Sequence, residues 1–204
     1  MITVNLGWNI ETYLSVSSAI ISTIGIILFL KRDWKRYGLL LLLSAIVGVI
    51  LCYIFLGLKL YSFPYRIFPE ISKIPFTAIL TVFPLYVLLG VQYSPKSWAW
   101  KIPFYWAVVH LGVLTEGWIE SHTQILKYNE VWDLWDSYTW WWLYLLVFEW
   151  VGGLIIPQGL RKPLDQELIR FGQLGWFILH FILISTIFIA GVYAGQTLLT
   201  MPGR

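Results

Sequence analysis

YGLLLLLSAIVGVILCYIFLGL, residues 37–58, runs for 22 positions without one charged side chain. An α-helix rises 1.5 Å per residue, so about 20 apolar residues cross the roughly 30 Å of a bilayer's hydrocarbon. A run this long and this uniformly apolar has no polar face to show water, and it decides the class. Five further stretches, approximately 12–30, 74–92, 102–121, 139–157 and 172–196, approach the same length. Within lipid every main-chain N–H and C=O must find its partner inside the protein, and the sequence lacks the short alternating segments of a membrane barrel. The expected fold is therefore all-α, a polytopic transmembrane helical bundle of about six spans forming one integral membrane domain over 1–204.

Composition points the same way. Hydrophobic residues make up 58% of the 204 and charged residues 12%, where a soluble domain carries about 25% charged. The net charge is +3, and the basic residues stand in short clusters between apolar runs instead of forming a stripe, which excludes nucleic acid as a partner. The single cysteine, Cys52, lies inside an apolar run and rules out an intramolecular disulfide and any cysteine-built zinc or iron–sulfur centre. MITVNLGWNI has no Lys or Arg ahead of the first apolar stretch, and no small-residue cleavage pattern follows. That stretch is expected to be a retained span and not a signal peptide.

Three connections, KRDWKR (31–36), SPKSWAWK (94–101) and PQGLRKPLDQELIR (157–170), hold nine of the fourteen basic residues. The positive-inside rule places them in the cytoplasm and both termini outside the plasma membrane, although Lys59, Arg66 and Lys73 weigh against this orientation. Pro64 and Pro69 keep the 59–73 loop extended, Pro75 and Pro103 suit first turns of helices, and Pro157 closes the fifth span. Pro84 falls mid-span and predicts a kink that frees the carbonyl near Leu80.

WDLWDSYTWWW, residues 132–142, packs five indoles around two carboxylates at the approach to the fifth span. The rings suit a membrane interface, apolar body toward lipid tails and N–H toward head groups. Trp140, Trp141 and Trp142 stand about 100° apart round a helix and cannot all face one pocket. Asp133 and Asp136, with Glu130 and Glu120, make this loop acidic, which reads as a solvated rim, a cation-attracting vestibule or a contact surface for a partner.

Between about 61 and 149 the features fall in a distinctive order: Phe63–Pro64, Lys73 with Phe76–Thr77, Tyr93 with Pro95, Glu116 with Glu120, Thr123 through Tyr128, and the Trp-rich approach to the next helix. This order resembles a family of small multi-spanning membrane proteins from endospore-forming Gram-positive bacteria. The resemblance covers under half of the chain and implies the helical fold and a bacterial membrane. It implies no reaction, because the family carries no assigned activity.

Ionisable groups at bilayer depth are costly and mark candidate sites. Glu149 lies near the middle of its span with no Lys or Arg in that span, so burial favours the protonated acid unless a neighbouring helix supplies a cation. Glu116 and Glu120, four residues apart, share a face of the fourth helix, and the short connection makes the fourth and fifth helices neighbours. The sequence therefore predicts a carboxylate crevice of Glu116, Glu120 and Glu149 with Asp133 and Asp136 at its mouth. The alternative for each acid is a hydrogen-bonded structural group meeting Thr115, Tyr144 or an indole N–H.

His110 and His180 sit about eight residues into the fourth and sixth spans, matching depths at which two imidazoles could ligate a b-type haem. No motif requires a cofactor, and Glu120-Ser-His122 has the wrong spacing for a di-iron site. Gly191 and Gly195 form a small-residue face suited to a second copy or another membrane protein. No phosphate loop, nucleophile elbow or zinc-protease motif occurs, so no motif names a reaction, and the sequence favours a non-enzyme while leaving an enzyme open. Three readings follow: a membrane protein that binds or transports a cation or small ligand, an accessory subunit of a membrane complex, and a haem- or metal-containing redox protein.

Overall fold

A computed structural model of the chain describes residues 4–164 and, further on, 179–181, 183–184, 186–188, 190–191 and 195. The fold is predominantly helical. Within residues 4–164 five long helices follow one another: α1 (Ile10–Leu30), α2 (Trp34–Gly57), α3 (Phe76–Tyr93), α4 (Trp98–His122) and α5 (Leu134–Ile155). A 3-10 turn, Gln158–Leu160, follows α5. Two short strands, β1 (Tyr61–Ser62) and β2 (Lys127–Tyr128), pair antiparallel with Tyr61 opposite Tyr128.

The starts of three helices are chemically marked. Asn9 accepts from the Thr12 N–H at 2.9 Å, and Asp33 from the Arg36 N–H at 3.1 Å, each satisfying an orphan donor of the first turn. The Arg36 main-chain N–H, first among several contacts with that residue, holds the Asp33 carboxyl below its ordinary range. At α5, Asp133 accepts from the N–H groups of Trp135 and Asp136 while Asp136 accepts from the Asp133 N–H, a reciprocal capping box.

Helix α3 is the centre of the bundle, packing on α1, α2 and α5, and α5 packs in turn on α4. Tyr37, Leu40, Val87, Leu88, Tyr105 and Leu145 form its driest core. Gly152 lets α3 and α5 approach closely: a Cβ there would stand 2.6 Å from a methyl of Val91. The outward faces are as apolar as the core. Along α2, Leu39, Leu42, Ile46, Ile50 and Tyr53 are exposed while Ser44 and Gly48 point inward, the distribution that suits a bundle in oil.

Three of the described helices, α1, α2 and α3, are long and apolar enough to cross a membrane. Six spans were expected. Helices α4 and α5 have 25 and 22 residues, but tryptophan, tyrosine and ionisable side chains dilute their apolar character. The sixth expected span, 172–196, falls mostly outside the described residues.

The connections sort to two ends. At one end the N-terminal segment meets the 59–73 and 123–129 loops: Asn5 N–H donates to the Ile67 carbonyl at 2.8 Å, Tyr65 N–H to Gln124 at 2.6 Å, and Asn129 N–H to Leu60 at 3.0 Å. At the other, residues 157–164 form a strap along the end of α3, with Lys162 N–H donating to the Gln92 carbonyl at 2.9 Å and Leu164 N–H to Tyr93 at 3.0 Å.

One local expectation is corrected. Helix α4 begins at Trp98, four residues before the anticipated 102, so Pro103 lies inside it and Lys101 belongs to its opening turns instead of a loop. Pro84 falls inside α3, which continues through it, and is buried.

Candidate functional site

A cavity of about 320 Å³ opens in the ribbon-side half of the bundle, between α1 to α5 and beneath the β1/β2 ribbon. Its lining is overwhelmingly apolar and rich in rings, among them Phe55, Phe83, Tyr86, Trp132 and Trp141. Only one lining residue is ionisable to a full charge near neutral pH: Glu116.

Three neutral groups converge on that carboxylate. The Tyr128 hydroxyl donates to Oε1 at 2.9 Å, the Ser137 hydroxyl to Oε1 at 2.8 Å, and the Trp141 indole N–H to Oε2 at 2.6 Å. Behind Ser137, the Trp132 indole donates to its oxygen at 2.9 Å, which polarises the hydroxyl further toward the acid. Burial, then the charge of Glu116, pushes the Tyr128 phenol well up, so it remains a donor. Among the described residues no ion pair involves Glu116.

Glu149 has a different environment. It is 2% exposed and lies at the strap end, where Lys101 of α4 donates to Oε1, Arg161 of the strap donates to the same oxygen at 3.2 Å, and the Tyr105 hydroxyl donates to Oε2 at 2.7 Å. The Lys101 ammonium also stands over the Trp98 ring, 5.1 Å from its centroid. Beside this cluster, fully buried Gln92 bridges the Tyr37 hydroxyl and Arg32 Nη1, the latter at 2.6 Å from its amide oxygen.

The two acids therefore do not share a crevice. Glu116 bonds to Ser137, and Glu149 follows Ser137 by twelve residues along α5, an axial separation of about 18 Å. Of the two outcomes open to a buried Glu149, the fold supplies cations from outside its own helix.

Comparison with family models, curated proteins and solved structures found no match.

The remaining candidates stand outside the cavity lining. Glu120 is half-buried and accepts from the neighbouring Ser121 hydroxyl at 3.4 Å, with Lys127 held on its main-chain carbonyl. Asp133 and Asp136 are engaged in capping α5. His110 places Nδ1 2.9 Å from the Trp106 carbonyl, and its ring meets Trp106 and Tyr138 edgewise. His180 lies in the C-terminal helical stretch. Among the described residues no three of His, Cys, Asp and Glu gather where they could hold a metal ion.

Lys101, Arg161, Gln92 and Tyr105 were not anticipated from the sequence. Pro84 does not line the cavity, though its neighbour Phe83 does. Of the structural partners expected for the acids, an indole N–H is realised at Glu116, whereas Thr115 turns to the Leu111 carbonyl and Tyr144 to that of Ser44.

Proposed function

We propose that this chain is an integral membrane protein, threaded six times through the plasma membrane with the strap end in the cytoplasm, and that it binds or transports a small ligand through the cavity at Glu116. The observation that carries the reading is a single carboxylate, supplied with three neutral donors, in the wall of an apolar space of about 320 Å³. Small-molecule sites have this composition, mostly apolar with a few placed polar groups, and begin near this size.

The threading is supported by the way connections sort: the basic 31–36, 94–101 and 157–164 segments share the strap end, while the N-terminal segment and the 59–73 and 123–129 loops share the ribbon end. The bacterial family that the 61–149 region resembles is part of the proposal; Phe63, Thr77, Glu116, Ile125 and Leu126 of its motifs all line this cavity. In the alternative, an accessory subunit of a membrane complex, Glu149 has its cations inside this chain and needs none from a partner helix.

Trp132 and Trp141 line the space, so an occupant alters their emission. The test titrates purified protein in lipid nanodiscs with small phenylalkyl compounds of positive, zero and negative charge. A saturable change in tryptophan fluorescence for at least one class, weakened by Ala78→Trp, is expected. A response that rises linearly for every class, as partition into lipid does, would refute the reading.

A further inference from the structure

We infer that the occupant of this cavity is a lipophilic cation, an apolar or aromatic body bearing one ammonium-type charge that rests against Glu116. The inference depends on the cavity being a ligand site.

It begins with a contrast inside the molecule. The fold places two cations and a phenol on Glu149, as a buried carboxylate requires. At Glu116 it supplies a phenol, an alcohol and an indole, which stabilise negative charge without neutralising it. An ionised carboxylate has about four acceptor positions; three are taken here, and the missing element is positive charge. The open space lies on that same wall.

The rest of the lining specifies what kind of charge. Phe55, Phe83, Tyr86 and Trp118 are among the rings that line the space, and aromatic π-systems attract organic cations strongly when water is excluded. A bare metal ion is a poor fit. It asks for about six oxygen ligands at close range, whereas both oxygens of Glu116 already have protons directed at them. An alkylammonium spreads its charge over methyl or methylene groups, needs no inner-sphere oxygen and interacts with the carboxylate across several ångströms. Its apolar body matches the remaining wall.

The discriminating experiment compares 4-phenylbutyl-trimethylammonium with its neutral isostere, in which carbon replaces nitrogen, by fluorescence titration of wild type and Glu116→Gln in nanodiscs. Wild type is expected to prefer the cation by about tenfold or more. In Glu116→Gln that ratio falls toward one. Equal affinity of the two compounds for wild type would overturn the charge assignment and leave the cavity reading standing, and this arm needs no variant to fold. A preference undiminished in Glu116→Gln would overturn the assignment to this residue. Failure of both compounds to saturate would overturn the ligand site itself.

Discussion

Lys101, in the opening turns of α4, donates its ammonium to Glu149 in the last third of α5, joining the two helices by a charge pair almost wholly removed from solvent. Arg161 shares the same carboxylate oxygen. One acid thus fastens two helices and the strap, and its loss strands two buried cations.

Glu149→Ala is accordingly expected to destabilise by about 3–5 kcal/mol, read as a lowered thermal midpoint in detergent. Lys101→Met is milder, because Arg161 and Tyr105 still satisfy the acid. The pair Glu149→Leu with Lys101→Met recovers part of the loss. Equal damage from Glu149→Ala and Lys101→Met would contradict the shared role of Arg161.

Gly152→Ala forces a methyl against Val91, where the present backbone leaves only 2.6 Å. Overpacking of this kind costs about 1–3 kcal/mol. Adding Val91→Ala opens the space and restores most of the stability, a coupling that a double-mutant cycle measures directly.

Asp133→Ala removes the main cap of α5 and is expected to cost about 1 kcal/mol, while Asp133→Asn keeps an acceptor and loses little. Neither change alters cation preference at Glu116, which lies in the helix before. A large drop in binding with Asp133→Asn would restore the acidic loop as part of the site.

Orientation is checked with a Cys52→Ala background. Trp34→Cys, at the strap end, resists a membrane-impermeant thiol reagent on intact cells, and Asn129→Cys, beside the ribbon, reacts. Both positions are exposed in the fold, so the difference reports sidedness alone.

The helices were legible because oil leaves a plain mark: long apolar runs, prolines at their margins and few charges. Cap chemistry is equally visible at Asp133 and Asp136, whose x-x spacing before an apolar run marks a capping box, but acidity in a loop also suits a rim, a vestibule or a partner surface and masks it. Glu116 and Glu149 were recognised from depth alone. An indole N–H is a partner the sequence offers, but which indole it is, and that Lys101 reaches Glu149, is hidden because Trp141 and Lys101 lie 25 and 48 positions away, and periodicity is silent on which helices face each other. The boundary at 102 compounded this by leaving Lys101 in a loop. Once α4 starts at Trp98, its fourth residue falls where it can meet α5.

The β1/β2 ribbon has a consequence for biogenesis. Tyr61 and Tyr128 are separated by the whole of α3 and α4, so their ladder cannot form until both intervening helices have been synthesised. A nascent chain released before that moment leaves the roof of the cavity undone, and closure of this small ladder dates the completion of the chamber beneath it.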